Sequence, residues 1–238
     1  MKIYSFLSLF IGLFFPLLLA AQDKTNIKAE DSPDFFTRQK LRYGLAWING
    51  WSSIIGSNLP ADYFYKPSVG LRFQADYYFN QNWGLNVGIA YQQRGAGILT
   101  PDYVKEVGNG DSTYRLRLRF NSFELPVLLL WRQAQPTIGG TRFTVGLGAV
   151  PALIARSGTI FNSVEDGFHI LENVSPQYKR FDMLAQAQFG LDINASEACL
   201  LQVQLFYQQG FINAYKSSAF ANAKGYSSNW GIKLAFMF

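Results

Sequence analysis

The residues that could do nucleophilic chemistry lie around the chain's single histidine. His169 has Ser163, Glu165, Asp166 and Glu172 as sequence neighbours. A serine, a histidine and an acid can form the activated triad that hydrolases and acyltransferases need. Closeness within one loop does not position such groups, and the apolar residues that flank His169 favour packing as readily as catalysis. We therefore predict that the protein is not an enzyme, with a lipid-modifying enzyme as the least favoured alternative.

The sequence shows no pattern for a metal or a cofactor. It has no Cys/His cluster, no phosphate-binding glycine loop and no EF-hand-type acidic loop. The single Cys199 cannot form an internal disulfide, and its phase with Leu201 and Val203 predicts an inert apolar role. We predict no cofactor.

A second set of charged residues alternates with apolar residues in segments that have the period of a β-strand. Its members are Arg72, Asp76, Arg94, Glu124, Asp182 and Lys233. Both signs occur, so opposite charges can pair inside a polar lumen. This set indicates a satisfied polar network that fills a small barrel, and a gated or ligand-binding lumen is the less favoured interpretation.

The C-terminal segment has the clearest strand periodicity. Its apolar face carries Trp230, Ile232, Leu234, Phe236 and Phe238, and small or polar residues such as Asn229, Gly231 and Lys233 alternate with them. This alternation is typical of a strand between lipid and a wet lumen. The segment resembles the last strand of outer-membrane barrels. That resemblance implies that these five residues are the signal that the barrel-insertion machinery recognises.

The N-terminal segment predicts export. A positive start, an apolar stretch from Ile3 to Leu19 and the small pair Ala20-Ala21 describe a signal peptide over residues 1–21. The alternative is a membrane helix, which Pro16 and the small residues disfavour. Residues 22–40 are polar and without period, which predicts a flexible periplasmic leader.

The composition agrees with a membrane barrel. The chain is 49% hydrophobic and 16% charged, yet no stretch after residue 21 has eighteen continuous apolar residues. Apolar residues at alternate positions reconcile the two facts. The net charge of +5 predicts contact with anionic head groups of outer-membrane lipid and lipopolysaccharide. Export argues against nucleic acid as a partner.

Alternating segments predict an all-β, antiparallel, up-and-down barrel of eight strands over residues 41–238, located in the outer membrane. The segments are 41–47, 71–79, 83–91, 123–131, 143–149, 181–191, 199–207 and 226–238. Long connections (49–66, 95–112, 157–177 and 213–225) alternate with shorter ones (80–82, 133–140 and 192–197). The long ones are therefore predicted to be extracellular, with both chain ends periplasmic.

Aromatic residues on the apolar faces predict two girdles. We expect Trp47, Tyr91 and Tyr207 near the outer boundary. Phe79, Trp83, Trp131 and Phe238 are expected near the inner one.

One segment breaks the alternation. Leu116, Leu118 and Phe120 occupy even positions, whereas the apolar residues from Phe123 onwards occupy odd ones. A β-bulge at Asn121-Ser122 would shift the register. Alternatively, residues 113–120 form an exposed hairpin arm beyond the membrane, and both interpretations stay open.

Several short motifs resemble the PorT-like family of outer-membrane barrels. They include Gly70-Leu-Arg-Phe-Gln-Ala-Asp-Tyr-Tyr-Phe79, Trp83-Gly-Leu-Asn-Val-Gly-Ile-Ala-Tyr-Gln-Gln-Arg-Gly95, Phe123-Glu-Leu-Pro-Val127 and Tyr207-Gln-Gln-Gly-Phe-Ile-Asn213. The resemblance implies the barrel fold and no catalytic residue. It also implies a structural, assembly or secretion-accessory role through the loops, with secretion-system or envelope proteins as partners. A surface-binding or adhesion barrel is the alternative.

Overall fold

The computed structural model describes residues 40–99, 115–133, 141–163, 167–172, 177–196, 199–216 and 222–238. The predicted signal peptide and all of the predicted leader except Lys40 lie outside these residues. Within them, no helix is long and apolar enough to cross a membrane.

The regular elements of the described residues are β-strands. They are β1 (Leu41–Ser57), β2 (Asp62–Phe64), β3 (Lys66–Tyr78), β4 (Trp83–Leu99), β5 (Arg115–Glu124), β6 (Val127–Arg132), β7 (Thr141–Ser163), β8 (Gly167–Glu172), β9 (Phe181–Ser196), β10 (Cys199–Gly210) and β11 (Lys224–Met237). Alternate apolar residues in each strand allow one face to be buried while the other stays exposed.

The strands close into an antiparallel barrel. Each pairs with the next around the ring, and β1 pairs with β11 from Gly44↔Met237 to Ser57↔Lys224. β5 and β6 form one wall strand, since both pair with β4 and with β7. Pro126 interrupts this strand because it has no backbone N–H. Eight wall positions result, as predicted: β1, β3, β4, β5 with β6, β7, β9, β10 and β11.

The predicted alternation of side chains is confirmed. In β1 the odd residues from Leu41 to Trp47 face outward, and the even residues from Arg42 to Ile48 are buried. β3 has the same phase, whereas in the C-terminal half of β11 the even residues face outward and the odd residues are buried. The predicted segments therefore form a continuous outward apolar belt.

The two ends of the barrel differ. We call the end with Lys40, Phe238 and the connection 79–82 the turn end, and the opposite end the loop end. Trp83 and Trp131 are direct partners at the turn end, as the girdle prediction requires. Tyr207 pairs with Trp230 toward the loop end. Trp230 in turn stacks on Trp51, with ring centroids 4.7 Å apart, a contact that the sequence did not predict.

The wall rises well beyond the belt at the loop end. The predicted long connections are wrong in part, because strands replace parts of the loops there. Between residues 95 and 112, β4 continues to Leu99, and within 213–225 β11 begins at Lys224. Between residues 49 and 66, β1 continues to Ser57 and β2 pairs with β4. Between residues 157 and 177, β7 continues to Ser163 and folds back into β8. We call the parts of the wall past the belt the loop-end extension.

The broken alternation at residues 113–120 has a different cause from either prediction. The register does shift at Asn121/Ser122, but the extra residue lies in the facing strand, because Asn121 pairs with Arg156 and Ser122 with Ile154. β5 itself keeps its phase, and Leu118, Phe120, Ser122 and Glu124 are all buried. The exposed-arm prediction is also wrong, since β5 is paired on both sides.

The interior of the loop-end extension is apolar. We call this core the apolar cap; it comprises Ile54, Ala96, Leu118, Phe120, Ile154, Tyr178, Ala214, Tyr215 and Ala223. Tyr178 and Tyr215 come from two connections that meet over the barrel in an isolated β-bridge. Phe120 packs edge-to-face on Tyr178, with ring centroids 5.0 Å apart. The polarity of the wall therefore inverts, because beyond the belt its outer face meets water instead of lipid.

Candidate functional site

The structure places all six predicted luminal residues inside the barrel. Their exposed fractions are at most 3%: Arg72, Asp76, Arg94, Glu124, Asp182 and Lys233. Each stands on a strand whose opposite face belongs to the apolar belt, so the strand alternation alone directs it inward. Charges buried this deeply require ionic or hydrogen-bonding partners.

Arg94 holds together the part of the network nearest the loop end. Its Nη2 lies 3.3 Å from Oδ2 of Asp182, and its Nε lies 3.6 Å from Oε1 of Glu124. Ser227 donates to Asp182 at 2.8 Å, and Gln208 donates to Glu124 at 3.3 Å. The guanidinium joins three strands, β4, β5 and β9, while β11 joins them through Ser227 and β10 through Gln208.

Lys233 belongs to the middle of the lumen. Its Nζ donates to Gln74 at 3.1 Å and to Gln188 at 3.2 Å. Gln188 accepts from Gln186, which also accepts from Arg72 at 3.3 Å. Glutamine amides therefore connect the positive charges, because each amide both donates and accepts.

Asp76 lies on the turn-end side of Lys233. Gln202 donates to its Oδ2 at 2.9 Å, and Asn86 donates to its Oδ1. Gln202 also accepts from Gln74 at 2.8 Å. Through Gln74, Gln186 and Gln208, the six predicted residues form one hydrogen-bonded network that fills the lumen.

A cationic and aromatic layer near the turn end was missing from the predicted site. The guanidinium carbon of Arg132 lies 3.9 Å from the centroid of the Tyr78 ring, and that of Arg42 lies 5.1 Å from it. Asp192 and Arg142 are also buried in the interior. Their even phase in sequence was the available signal.

Of the residues considered for nucleophilic chemistry, Ser163, His169 and Glu172 lie on the paired strands β7 and β8. The backbone of His169 pairs with Phe161, and Ser163 pairs with Gly167. Glu165 and Asp166 lie outside the described residues. In the part of the chain that the structure describes, no group of three or more His, Cys, Asp or Glu side chains is arranged to hold a metal ion.

The predicted C-terminal signal lies on the outer surface of the barrel. Trp230, Ile232, Leu234 and Phe238 are 40–44% exposed, and Phe236 is half-buried. The backbone of Phe238 pairs with Tyr43, with N–O distances of 2.8 and 3.1 Å. The barrel is therefore closed up to its last residue, and its recognition by insertion machinery stays a prediction.

A closed antiparallel barrel with an apolar outer belt and a hydrogen-bonded polar interior defines a transmembrane β-barrel of the outer-membrane class. Residues 52–216 match the model of the family described as outer membrane protein beta-barrel domain. The chain belongs to this family, and its location is the cell outer membrane. No curated protein matches the sequence at a significant level.

Several solved outer-membrane barrels are similar in structure. Ail, the attachment invasion locus protein of Yersinia pestis, is 14% identical with a TM-score of 0.42, over 84% of this chain and 100% of that one. Neisserial surface protein A is 11% identical with a TM-score of 0.42, over 83% and 96%. OprG from Pseudomonas aeruginosa is 16% identical with a TM-score of 0.40, over 83% and 94%.

Proposed function

We propose that this protein is a closed, non-conducting outer-membrane barrel with a structural or assembly role that its loop end performs. The observation that carries the proposal is the sealed lumen. The Arg94 network bridges the interior, and the apolar cap covers it toward the loop end. A solute would have to break both layers in order to pass.

The energetics of burial support a permanent seal. Arg94 forms ion pairs with Glu124 and Asp182 inside a narrow barrel, and separating them would leave buried charges unpaired. Opening the cap would expose Phe120, Tyr178 and Tyr215 to water. The interior is therefore suited to stability rather than to transport.

The loop-end extension supports a role outside the membrane. Strands, rather than open loops, carry it above the belt, and a packed core keeps its shape. A firm surface suits docking of another envelope protein, since little order is lost on binding. The resemblance to PorT-like barrels makes a secretion-accessory role the most specific form of this proposal.

Surface binding or adhesion is the second candidate. Charged side chains such as Lys179, Arg180 and Lys224 are exposed at the loop end. They could contact a host or neighbouring-cell surface without any partner in the same envelope. This alternative predicts a phenotype in attachment and none in export.

We do not propose an enzymatic role. Catalysis needs a nucleophile whose base is itself oriented, and the closeness of His169 and Ser163 in sequence does not provide that orientation. Mass spectrometry of lipid A from cells with and without the protein tests this point. A lipid A mass that is found only in cells with the protein would contradict the absence of an enzymatic role.

Crosslinking in intact envelopes tests the main proposal. A photoreactive residue at the exposed loop-end positions Asp62 or Lys179 should capture a defined envelope protein, and the same residue at Lys40 or Gln81, at the turn end, is the control. Deletion of the gene should then reduce export of surface proteins. Crosslinks from the turn end alone would contradict the loop-end role, and unchanged export would contradict the secretion-accessory form.

A further inference from the structure

The outer wall of the barrel carries a cluster of positive charge just past the apolar belt. Arg119 and Arg117 face outward from β5, and Arg156 faces outward from β7 beside them. Lys66 of β3 is buried, at 7% exposure, and its ammonium group is close enough for Arg119 and Arg117 to repel it. We call Arg117, Arg119 and Arg156 the basic patch. Among the described residues, no carboxylate forms an ion pair with any of them.

The β-bulge in β7 is the reason that Arg156 belongs to the patch. In a regular strand Ile154 and Arg156 would face the same side. The extra residue leaves Ile154 buried and exposes both Ala155 and Arg156. Bulges commonly re-aim a side chain in this way. Arg156 is thereby directed to the outer wall, beside Asn121.

Two amide groups hold the guanidinium of Arg119 in place. Its Nε donates to Oδ1 of Asn121 at 3.2 Å. The amide oxygen of Gln93 also accepts from Arg119, at 2.7 Å from Nε, when its amide is oriented toward the guanidinium. Because both acceptors are neutral, the positive charge remains available. A fixed guanidinium fork is suited to binding phosphate.

Glycines flank these arginines in the wall. Arg119 pairs with Gly95 on one side and Gly158 on the other, and Arg117 pairs with Gly97. Gly95 has a φ of 147°, and a Cβ there would clash with the carbonyl oxygen of Leu118. The glycines contribute no side chain of their own beside the arginines, but the ring of Phe64 lies against Gly97 and Cε of Lys66 lies near Gly95.

The height of the patch matches the headgroup layer of a membrane. Tyr91 and Phe123, whose ring centroids are 5.5 Å apart, are the exposed aromatic residues of β4 and β5 nearest the loop end. Outward residues are about 7 Å apart along a strand, or roughly 5 Å along the membrane normal for a tilted strand. Asn121 thus lies roughly 5 Å above Phe123, and Arg119 lies roughly 10 Å above it. A headgroup layer is about 5–8 Å thick, so a layer that begins near Asn121 ends near Arg119.

We propose that the basic patch binds the phosphate groups of a phosphorylated glycolipid of the outer leaflet, such as lipid A. The outward direction of the side chains, directly above lipid-facing aromatics, favours this occupant over a soluble polyanion. The phosphates would accept hydrogen bonds from Arg119 and Arg156, while the acyl chains lie on the belt below. This inference follows from the membrane location and does not depend on the proposed assembly role.

Lipid retention by the full-length protein tests the site. The protein is placed in zwitterionic lipid nanodiscs and titrated with lipid A. Arg119→Ala and Arg156→Ala should each weaken binding about fivefold, as expected for one cation near an anionic lipid. Arg119→Lys should bind with intermediate affinity because an ammonium lacks the guanidinium fork. Lys224→Ala is the matched control, an exposed loop-end lysine on the opposite side of the ring, and should bind as the unmodified protein does.

Three further measurements separate the possible ligands. In the double variant, Arg119→Ala is combined with Arg156→Ala. Dephosphorylated lipid A should bind the unmodified protein no more tightly than lipid A binds this double variant. Millimolar inorganic phosphate should not displace lipid A, whereas displacement would overturn lipid recognition in favour of a free anion. Equal lipid A affinity of the unmodified protein and the double variant would overturn the site. The site would also be overturned if the double variant lost binding to a soluble sulfated polysaccharide but still bound lipid A as the unmodified protein does.

Heat-modifiable gel mobility verifies that each variant is folded. Arg119→Gln replaces Arg119→Ala if the alanine variant does not fold.

Discussion

Nη2 of Arg94 lies 3.3 Å from Oδ2 of Asp182, and this contact joins β4 to β9 across the interior of the barrel. The two strands are not neighbours in the wall. The pair therefore braces the barrel from inside, where backbone pairing cannot act. Glu124 completes the group from β5, so one guanidinium neutralises part of the charge of two buried carboxylates.

Removal of Glu124 should destabilise the barrel. In Glu124→Ala, Ser122 and Gln208 lose a hydrogen-bond partner and Arg94 loses a counter-charge. A broken buried pair costs about 3–5 kcal/mol. The temperature at which the folded protein loses its heat-modifiable gel mobility should fall, and less so for Glu124→Gln. Asp62→Ala, which removes an exposed carboxylate, should leave it unchanged.

Arg94→Ala should be more destabilising than Glu124→Ala, because it leaves two carboxylates without their shared partner. Planar-bilayer recordings of both variants separate a seal from a gate. If the network is a seal, we expect both variants to be unstable and to give irregular leak currents without discrete channel conductance. Unchanged stability of Glu124→Ala together with discrete ion channels would show that the lumen is gated.

The apolar cap should depend on Phe120. Phe120→Ala removes the ring that packs on Tyr178 and leaves a cavity, at a cost of about 3–5 kcal/mol if the site does not collapse. Hydrogen exchange and limited proteolysis at the loop end should increase, with the belt unchanged. Phe123→Ala is the matched control because Phe123 is 52% exposed on the outer face. Equal effects of the two substitutions would contradict the cap.

The sequence predicts the membrane part of this barrel well and the loop-end extension poorly. Within the belt, lipid lies outside the wall and the polar lumen lies inside it. Alternation of apolar and polar residues therefore identifies both the strand and the direction in which each side chain points. Phe123, for example, faces outward as predicted. Phe120, three residues earlier, is inside. Hydrophobicity alone could not show this, because above the belt water replaces lipid outside and the apolar residues move inward.

The sequence predicts which residues face the lumen better than it predicts which of them pair. The phase of each strand directs Arg72 and Lys233 inward, but register and strand order decide which side chains meet. Arg94 on β4 and Asp182 on β9, for example, pair near the loop end, although the sequence alone does not indicate that these two strands face each other. The bulge at Ala155 illustrates the limit: it lies in β7, whereas the irregular apolar pattern was visible in β5.

The tyrosines of the cap predict a loss of stability at high pH. Burial, together with neighbouring tyrosines, raises the pKa of both Tyr178 and Tyr215 well above the ordinary value. The folded state therefore keeps protons that the unfolded state releases above about pH 10, so stability is constant below that pH and falls above it. The slope approaches about 1.4 kcal/mol per pH unit for each tyrosine. Unfolding measured from pH 8 to 11 should show the decline, and Tyr178→Phe should reduce it. A Tyr178→Phe variant with the full slope would contradict the assignment.

The last residue should matter for insertion more than for stability. The backbone of Phe238 makes both hydrogen bonds to Tyr43, and its ring is 42% exposed on the outer surface. Phe238→Ala therefore retains the strand pairing and loses only lipid contact, so the refolded protein should have nearly the same heat-modifiable transition. In cells the variant should accumulate less in the outer membrane, because the insertion machinery would lack its C-terminal aromatic. Phe211→Ala, which removes another exposed phenylalanine far from the C-terminus, is the control. Normal membrane levels of Phe238→Ala would show that the C-terminal residue is not the signal.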